Sequence, residues 1–162
     1  MKVIAHDKFI EEVNISLKFF NGDKKSFTIE TENLKDVLSN SDFVTLHVPK
    51  IGDKAVIGAE EIGMMKTGAG IVNTSRGGVI DETALMFALD KEKLAYAGLG
   101  VFENEPTPSI HICMHNAISL TPHIGAATLE AQARVGKDIA KAIMKVLSGN
   151  TADTTVNSHL LK

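Results

Sequence analysis

Hydrophobic and polar positions follow two different patterns along the 162-residue chain. Residues 13–29 alternate apolar and polar side chains on both sides of Asn21-Gly22. This predicts a β-hairpin, because Asn-Gly is the preferred turn between two paired strands. From residue 43 onward, short apolar runs alternate with longer segments that have helical spacing. This second pattern predicts a parallel sheet with crossover helices, which is an α/β fold.

The apolar runs and the helical segments define the predicted elements of this fold. Parallel strands are predicted at residues 2–5, 43–48, 70–74, 96–101 and 118–120. Helices are predicted at residues 33–39, 58–66, 82–90 and 128–147. The strands are apolar on both faces, which is typical of a sheet that helices cover on both sides. Asp81 can cap the helix that begins at residue 82.

Composition and charge narrow the class of protein. The net charge of −3 and the isoelectric point near 6.1 give no indication of nucleic-acid or membrane binding. Cys113 is the single cysteine, which excludes a disulfide within the chain. No apolar run approaches the roughly 18 residues of a membrane span, and no signal-peptide pattern follows Met1. We therefore expect a cytoplasmic protein.

Three polar residues that directly follow predicted strands are the main candidates for chemistry: Arg76, Glu105 and His123. The carboxyl ends of parallel strands meet at one edge of a sheet, so these residues could converge there. An arginine can hold a carboxylate at two points, and a histidine beside a carboxylate suits proton transfer near neutral pH. Together they suggest a site that moves a proton on the oxygen of a carboxylate-bearing substrate.

Each candidate also has a structural explanation. Arg76 could form an ion pair with Asp81, Glu105 could be a solvated loop acid, and His123 could cap the following helix. Asp7 follows the first predicted strand, where it could bind a ribose or simply belong to a turn.

Two other possible sites are weak on the sequence. The segment HICMH, residues 111–115, holds too few ligands for a metal site, so we expect no metal. No GxGxxG motif is present, and the glycines of GLGVFE and GAGIVN do not stand between a strand and a helix, as a phosphate-binding loop requires.

Four blocks of the sequence resemble the D-isomer-specific 2-hydroxyacid dehydrogenases: LHVP, GAEEIGMMKTGAGIVNTSRGGVIDETAL, AGLGVFENEP and LTPHIGAAT. The resemblance runs from about residue 2 to about residue 149. It implies a Rossmann-type, doubly wound, NAD-binding domain at residues 1–127. A helix at 128–149 would lead back to the substrate-binding domain, and 150–162 would form a polar tail. The resemblance also implies a homodimer that forms through the nucleotide domain.

The same resemblance implies roles for individual residues. Arg76 would bind the carboxylate of a small 2-hydroxy or 2-keto acid, and His123 would exchange the proton of the substrate hydroxyl. Glu105 would pair with His123 and tune it, while NAD takes the hydride. Asp7 would hold the ribose hydroxyls of the adenosine. The remaining cofactor contacts would come from Thr74, Ser75, Arg76, Gly100, His123, Ile124, Gly125 and Ala126.

The sequence also departs from the family pattern. The GxGxxG loop, the strand before it and the N-terminal part of the substrate domain would be expected before Lys2, so the resemblance implies an N-terminally truncated Rossmann domain. Gly100 stands where the family usually has an aspartate that contacts the nicotinamide carboxamide. We therefore expect weak or no NAD binding by this chain alone. A reductase of the same family and a non-catalytic dimerisation module remain as alternatives.

Overall fold

The computed structural model describes residues 1–156 of the chain. The chain divides into two compact units, Met1–Pro122 and His123–Lys162. The boundaries after residues 127 and 149, which follow from the family resemblance, remain a proposal. The last part of the proposed tail, residues 157–162, lies outside the described residues.

Apart from the predicted strand at residues 2–5 and the additional helix α4, the described elements follow one another in the order that the sequence predicts. They are β1 Glu12–Lys18, β2 Lys24–Glu30, α1 Leu34–Asn40, β3 Phe43–Leu46, α2 Ala59–Met64, β4 Ala69–Asn73, α3 Glu82–Asp90, β5 Leu94–Leu99, α4 Ile110–Met114, β6 Ile118–Leu120 and α5 Leu129–Leu147. The capping of α3 is also confirmed, because the side chain of Asp81 accepts a hydrogen bond from the N–H of Ala84.

A four-stranded parallel sheet with the strand order β3-β4-β5-β6 forms the centre of the first unit. Strand β4 is apolar and almost wholly buried, as expected for a strand between two neighbours. Side chains from α1, α2 and α3 join it in the core, among them Leu38, Ile62 and Leu85. This confirms the α/β, Rossmann-like class and places the carboxyl ends of four strands along one edge.

The hairpin is confirmed as a separate two-stranded antiparallel sheet, β1-β2. Gly22 has a φ of 92°, the left-handed region that glycine enters without strain. Cross-strand hydrogen bonds join Ser16 to Ser26 and Thr28 to Asn14 on its polar face. Every residue of β1 is exposed, so cross-strand pairing holds the hairpin rather than burial in the core.

The predicted strand at residues 2–5 is wrong. Only Ala5 pairs there, through a single parallel bridge with Thr31 at the end of the hairpin. A strand needs a continuous partner, and within the described residues this segment meets only the short extension of β2.

The expectation that both faces of every parallel strand are buried is also wrong for β3. This strand alternates exposed and buried residues because it is an edge strand. The ring of Phe43 is 66% exposed and rests against Tyr96, with the ring centroids 5.6 Å apart. His47, at the end of this strand, is exposed as well, and its Nε2 lies 3.1 Å from Oγ1 of Thr45.

Two helices add detail that the apolar pattern alone does not give. Helix α4 was not predicted, because its five residues are too few to show a helical period. Helix α5 begins after Thr128, whose side chain accepts from the N–H of Ala131. It is strongly amphipathic, yet none of its residues is buried. Among the described residues, no helix combines the length and the apolar character that crossing a membrane would require.

Candidate active site

The loop after β4 is held by Asn73, the buried polar residue that ends this strand. Its side-chain N–H donates to the carbonyl oxygen of Arg76 at 3.0 Å. Its side-chain oxygen accepts from both the backbone N–H and the hydroxyl of Ser75, at 3.0 and 2.8 Å. One buried amide thus fixes the backbone on both sides of Ser75 and presents the exposed side chain of Arg76 at the sheet edge.

Arg76 itself is not committed to the ion pair that was its structural alternative. The carboxylate of Asp81 caps α3 instead, through the N–H of Ala84. The guanidinium of Arg76 donates from Nη1 to the carbonyl oxygen of Ser75, 2.6 Å away. Because the side chain is exposed, the rest of its donor fork can reach an anionic ligand.

The loop that carries Arg76 packs directly on the loop that carries Glu105. A Cβ atom at Gly77 would lie 1.7 Å from the carbonyl oxygen of Phe102, so only glycine fits at this contact. The carboxylate of Glu105 in turn accepts a hydrogen bond from the N–H of Phe102 at 3.0 Å. Two candidates that lie far apart in sequence are therefore linked through a single backbone contact.

Gly100 lies where the carboxyl ends of β4, β5 and β6 meet. Its N–H donates to the carbonyl oxygen of Asn73 at 3.0 Å. A Cβ atom at this position would lie 3.0 Å from Oγ1 of Thr121 and 3.4 Å from Cγ2 of Thr74. A larger residue, such as the aspartate usual in the family, would therefore require Thr121 to move by a few tenths of an ångström.

A pair of glutamates forms a second connection, between the start of α3 and the loop after β5. The N–H of Glu82 donates to the Glu103 carboxylate at 2.9 Å, and the N–H of Glu103 donates to the Glu82 carboxylate at 2.7 Å. Burial raises the pKa of Glu82 above its ordinary value of 4.5. The hydrogen bond from Glu103 opposes this rise in pKa, and the negative charge of Glu103 adds to it.

A polar cavity of about 310 Å³ lies beside these loops. It is lined by Lys50, Asp53, Ala55, Gly78, Asp81, Glu103 and Asn104. Gly78 has a φ of 73°, and a side chain there would collide with Lys50. The cavity adjoins the loop of Arg76, although Arg76 and Glu105 are not among its lining residues.

The last group of candidates, His123 to Ala126, begins the second unit. All four residues are exposed, and the N–H of Ala127 donates to the carbonyl oxygen of Ile124 at 2.9 Å. His123 is not the cap of α5, because Thr128 performs that role. This removes the structural alternative that the sequence left open for His123.

Asp7 forms a turn, one of the two possibilities that the sequence allowed. Its Oδ1 accepts hydrogen bonds from the N–H groups of Phe9 and Ile10, at 2.7 and 3.1 Å. The residue is exposed, and a carboxylate has further lone pairs that can accept from ribose hydroxyls. The turn therefore does not conflict with the predicted contact to the adenosine ribose.

Sequence reasoning found the loops of the first unit but missed the residue that orders them. Arg76 and Glu105 follow strands of the same sheet edge, as predicted, and Thr74 and Gly100, which were predicted as the ends of strands, follow them as well. Asn73 was overlooked, although an amide at the end of an apolar strand is an unusual choice. That signal could have identified it, because a buried amide must find hydrogen-bond partners.

The residues of the chain match only part of an NAD molecule. Thr74 is exposed at the end of β4, where a nicotinamide could lie, and Asp7 offers an acceptor for a ribose. The backbone N–H cradle of a GxGxxG loop, which holds the pyrophosphate in dinucleotide folds, is not encoded in the 162 residues. Candidate contacts for the two ends of the cofactor are therefore present in the chain, but this cradle is not.

Comparison with known proteins agrees with this picture. Residues 1–125 match the family model of the D-isomer specific 2-hydroxyacid dehydrogenase, NAD binding domain. The D-3-phosphoglycerate dehydrogenase of Synechocystis sp. is 39% identical over 158 residues, which cover 97% of this chain and 27% of that protein. The chain thus spans about a quarter of the length of this relative.

Solved structures with related folds include dehydrogenases and reductases with different substrates. A glyoxylate reductase from Paecilomyes thermophila has a TM-score of 0.75 and 32% identity, covering 81% of this chain and 40% of that one. The apo form of Rhodotorula graminis D-mandelate dehydrogenase has a TM-score of 0.72 and 33% identity, covering 78% and 37%. The match of the family model over most of the sequence shows that the chain belongs to the NAD-binding domain family of the D-isomer specific 2-hydroxyacid dehydrogenases.

Proposed function

We propose that this chain supplies the catalytic part of the nucleotide domain of an NAD-dependent dehydrogenase that oxidises a D-2-hydroxy acid. The observation that carries the proposal is the contact of Gly77 with Phe102, which joins the loops of Arg76 and Glu105. The substrate we propose is D-3-phosphoglycerate, which would assign the protein to serine biosynthesis. The identity of 39% with the Synechocystis enzyme over nearly the whole chain supports this choice.

The proposed roles follow from the chemistry of each side chain. The guanidinium of Arg76 holds the substrate carboxylate and polarises the oxygen on the reacting carbon. The imidazole of His123 takes the hydroxyl proton during oxidation and returns it during reduction. Glu105 pairs with His123 and holds its imidazole in one orientation. When bound, NAD supplies the acceptor for the hydride.

The proposal includes a cellular setting and a partner. We place the enzyme in the cytoplasm and expect it to act as a homodimer assembled through the nucleotide domain. The substrate is a small 2-hydroxy or 2-keto acid, and neither nucleic acid nor a membrane takes part. The net charge of −3 agrees with this assignment.

The cofactor part of the proposal is tested by titrating the chain with NADH in a calorimeter. The chain lacks the pyrophosphate cradle, so we expect weak or no binding. Micromolar affinity of the isolated chain would contradict this expectation and would require another phosphate site.

The catalytic part is tested in a chimera in which this chain replaces the matching region of the Synechocystis enzyme. His123→Asn should lower turnover by roughly 10² to 10⁴-fold, the usual contribution of a general base, with little change in NAD affinity. Arg76→Ala should raise the KM for the substrate and also lower kcat, because Arg76 both binds the carboxylate and polarises the reacting oxygen. Arg134→Ala is the matched control, because it removes the only other arginine, which lies in α5. Equal loss of turnover and NAD affinity in the His123 variant would assign that residue a structural role.

A glyoxylate or hydroxypyruvate reductase is the second candidate. It is favoured by the structural similarity to a glyoxylate reductase, at a TM-score of 0.75. The ratio of kcat/KM for D-3-phosphoglycerate to kcat/KM for glyoxylate in the same chimera decides between the two. A chimera that folds and dimerises but turns over neither compound would favour the non-catalytic dimerisation module.

A further inference from the structure

The outer edge of β1 presents unpaired backbone groups. The hairpin is a two-stranded sheet, so each of its strands is an edge strand within the described part of the chain. The N–H of Phe19 donates to Asp23 and the N–H of Thr31 donates to Glu11, at 2.8 and 2.9 Å. Since the ladder keeps one register, the backbone groups of the odd-numbered residues of β1 bond to β2. The backbone N–H and C=O groups of the even-numbered residues point away from β2.

The corresponding outer edge of β2 is partly covered by the N-terminal segment of the chain. Ala5 bridges Thr31 beyond the end of β2, and its carbonyl oxygen accepts from the N–H of Glu32 at 2.7 Å. Strand β1 is therefore the more accessible edge. Two of the usual protections of an edge strand are missing from it, because it contains no proline and its ladder has no bulge.

The sequence of β1, EVNISLK, is complementary to itself in an antiparallel pair. With a two-fold axis at Ile15, Val13 of one copy faces Leu17 of the other. Asn14 then faces Ser16, and Glu12 faces Lys18. The outward groups of the even-numbered residues fall on the hydrogen-bonded pairs of this arrangement, while Ile15 meets its own copy at a closely spaced, non-bonded pair.

The charges within the hairpin favour a second copy over a neutral partner. Inside one chain, Glu12 lies directly opposite Glu30, and Lys18 lies directly opposite Lys24. Like charges at directly opposed positions destabilise an antiparallel pair. Self-pairing of β1 gives each end of the strand the opposite charge that its own hairpin does not offer.

We propose that β1 pairs with β1 of a second copy of this chain, around a two-fold axis at Ile15, to form a continuous four-stranded antiparallel sheet. The apolar side chains of the two hairpins then share one face. Within a single copy these side chains are 38–47% exposed, namely Val13, Ile15, Leu17 and Phe27. The proposal does not depend on the proposed activity, because it uses only residues of the hairpin.

A cysteine at the two-fold axis tests this register directly. In a Cys113→Ser background, Ile15→Cys should give a covalent dimer under mild oxidation, because the Cα atoms of a non-bonded pair lie about 4.5 Å apart. Val13→Cys is the matched control, since its two copies would be separated by four residues, or roughly 13 Å. Mixing Val13→Cys with Leu17→Cys should restore the link. Equal cross-linking of Ile15→Cys and Val13→Cys would overturn the proposal.

Charge exchange gives an independent test that does not disturb the hairpin. Glu12→Lys and Lys18→Glu each turn a like-charged pair of the hairpin into an opposite pair, so neither should unfold it. Each variant alone should self-associate roughly tenfold more weakly at low salt, whereas a mixture of the two should associate like the native chain.

Sedimentation of the full 162-residue chain and its variants provides the readout. The double variant Glu12→Lys/Lys18→Glu should recover native association, because it only exchanges the two ends. A native chain that stays monomeric at all concentrations would overturn the proposal. An assembly that is indifferent to both single variants would equally overturn it, because the contact would then lie on another surface.

Discussion

Strand β4 is buried along almost its whole length, whereas every residue of β1 is exposed. Strand β4 lies between β3 and β5 and places Ile71 in the core with no exposed surface. Strand β1 has β2 as its single neighbour within the described residues. Their sequences reflect this contrast, because β4 is apolar up to its last residue, Asn73, and β1 alternates apolar with polar side chains.

The loop after β4 and the hairpin are therefore stabilised in different ways. The loop after β4 can hold Arg76 in one position because it is attached to a rigid strand and packs on a neighbouring loop without free space. The hairpin depends on its turn and on cross-strand pairs, and an isolated two-stranded hairpin is marginally stable in water. We therefore expect substitutions near β4 to act on the whole first unit and those in the hairpin to act locally.

Gly77→Ala should have the largest effect. The added methyl group would overlap the backbone oxygen of Phe102, at 1.7 Å, so the two loops must separate. We expect a loss of about 3 kcal/mol or more in the free energy of unfolding, measured by urea denaturation. Gly63→Ala is the control, because no atom lies within 4 Å of its added Cβ. It should stabilise α2 by about 0.5–1 kcal/mol, and similar effects of the two substitutions would contradict the close packing.

Asn73→Ala should cause the second-largest loss of unfolding free energy. It leaves the carbonyl of Arg76 and the N–H of Ser75 without their buried partner, which should cost about 2 kcal/mol of unfolding free energy. Asn40→Ala removes an exposed amide that donates to Asp36, and should cost only a few tenths of a kcal/mol. Thermal unfolding of both variants measures the difference. Equal costs would show that the Asn73 network does not order the Arg76 loop.

The elements of the parallel sheet could be predicted because burial acts through the apolar pattern itself. Strand β6 was predicted with its observed bounds, and so was α3, which follows a clear cap. The candidate loops were found by the same reasoning, because they must follow the strands. The Asn-Gly signal was also sufficient to predict the hairpin, but not its register, because Phe19 pairs with Asp23 around a three-residue loop rather than a two-residue turn.

The features that the sequence did not predict depend on contacts between distant parts of the chain, which no local pattern encodes. The predicted strand at residues 2–5 failed because strand formation depends on a partner rather than on apolar character. The exposed face of β3 was missed because the sequence does not show that β3 is an edge strand. The role of Gly77 depends on the position of Phe102, which is distant in sequence and meets it only in the folded unit.

Gly22→Ala should destabilise the β1-β2 hairpin without destabilising the parallel sheet. Its φ of 92° strains any residue with a Cβ, and no atom lies near the added methyl group. The cost, about 1–2 kcal/mol, should therefore fall on the hairpin alone. Amide hydrogen exchange should accelerate across residues 12–30 and stay unchanged at Ile71. Gly52→Ala has a similar φ of 72° outside the hairpin and should leave these amides unaffected. Faster exchange at Ile71 in the Gly22 variant would show that the hairpin and the sheet unfold together.

Glu82→Gln should give the smallest effect, and its pH dependence identifies the cause. Because the pKa of Glu82 is raised above 4.5 in the folded state, the folded chain retains this proton while the unfolded chain loses it. The stability contribution is complete below pH 4.5 and declines as the pH rises through the folded-state pKa. The glutamine variant lacks this decline, so its stability relative to the native chain should improve from pH 4 to pH 7, by less than about 1 kcal/mol. Glu60→Gln, in the exposed first turn of α2, should show no such trend in thermal unfolding across the same pH range. If the stability of the Glu82 variant stays parallel to that of the native chain at every pH, burial between α3 and the loop after β5 does not perturb this carboxylate.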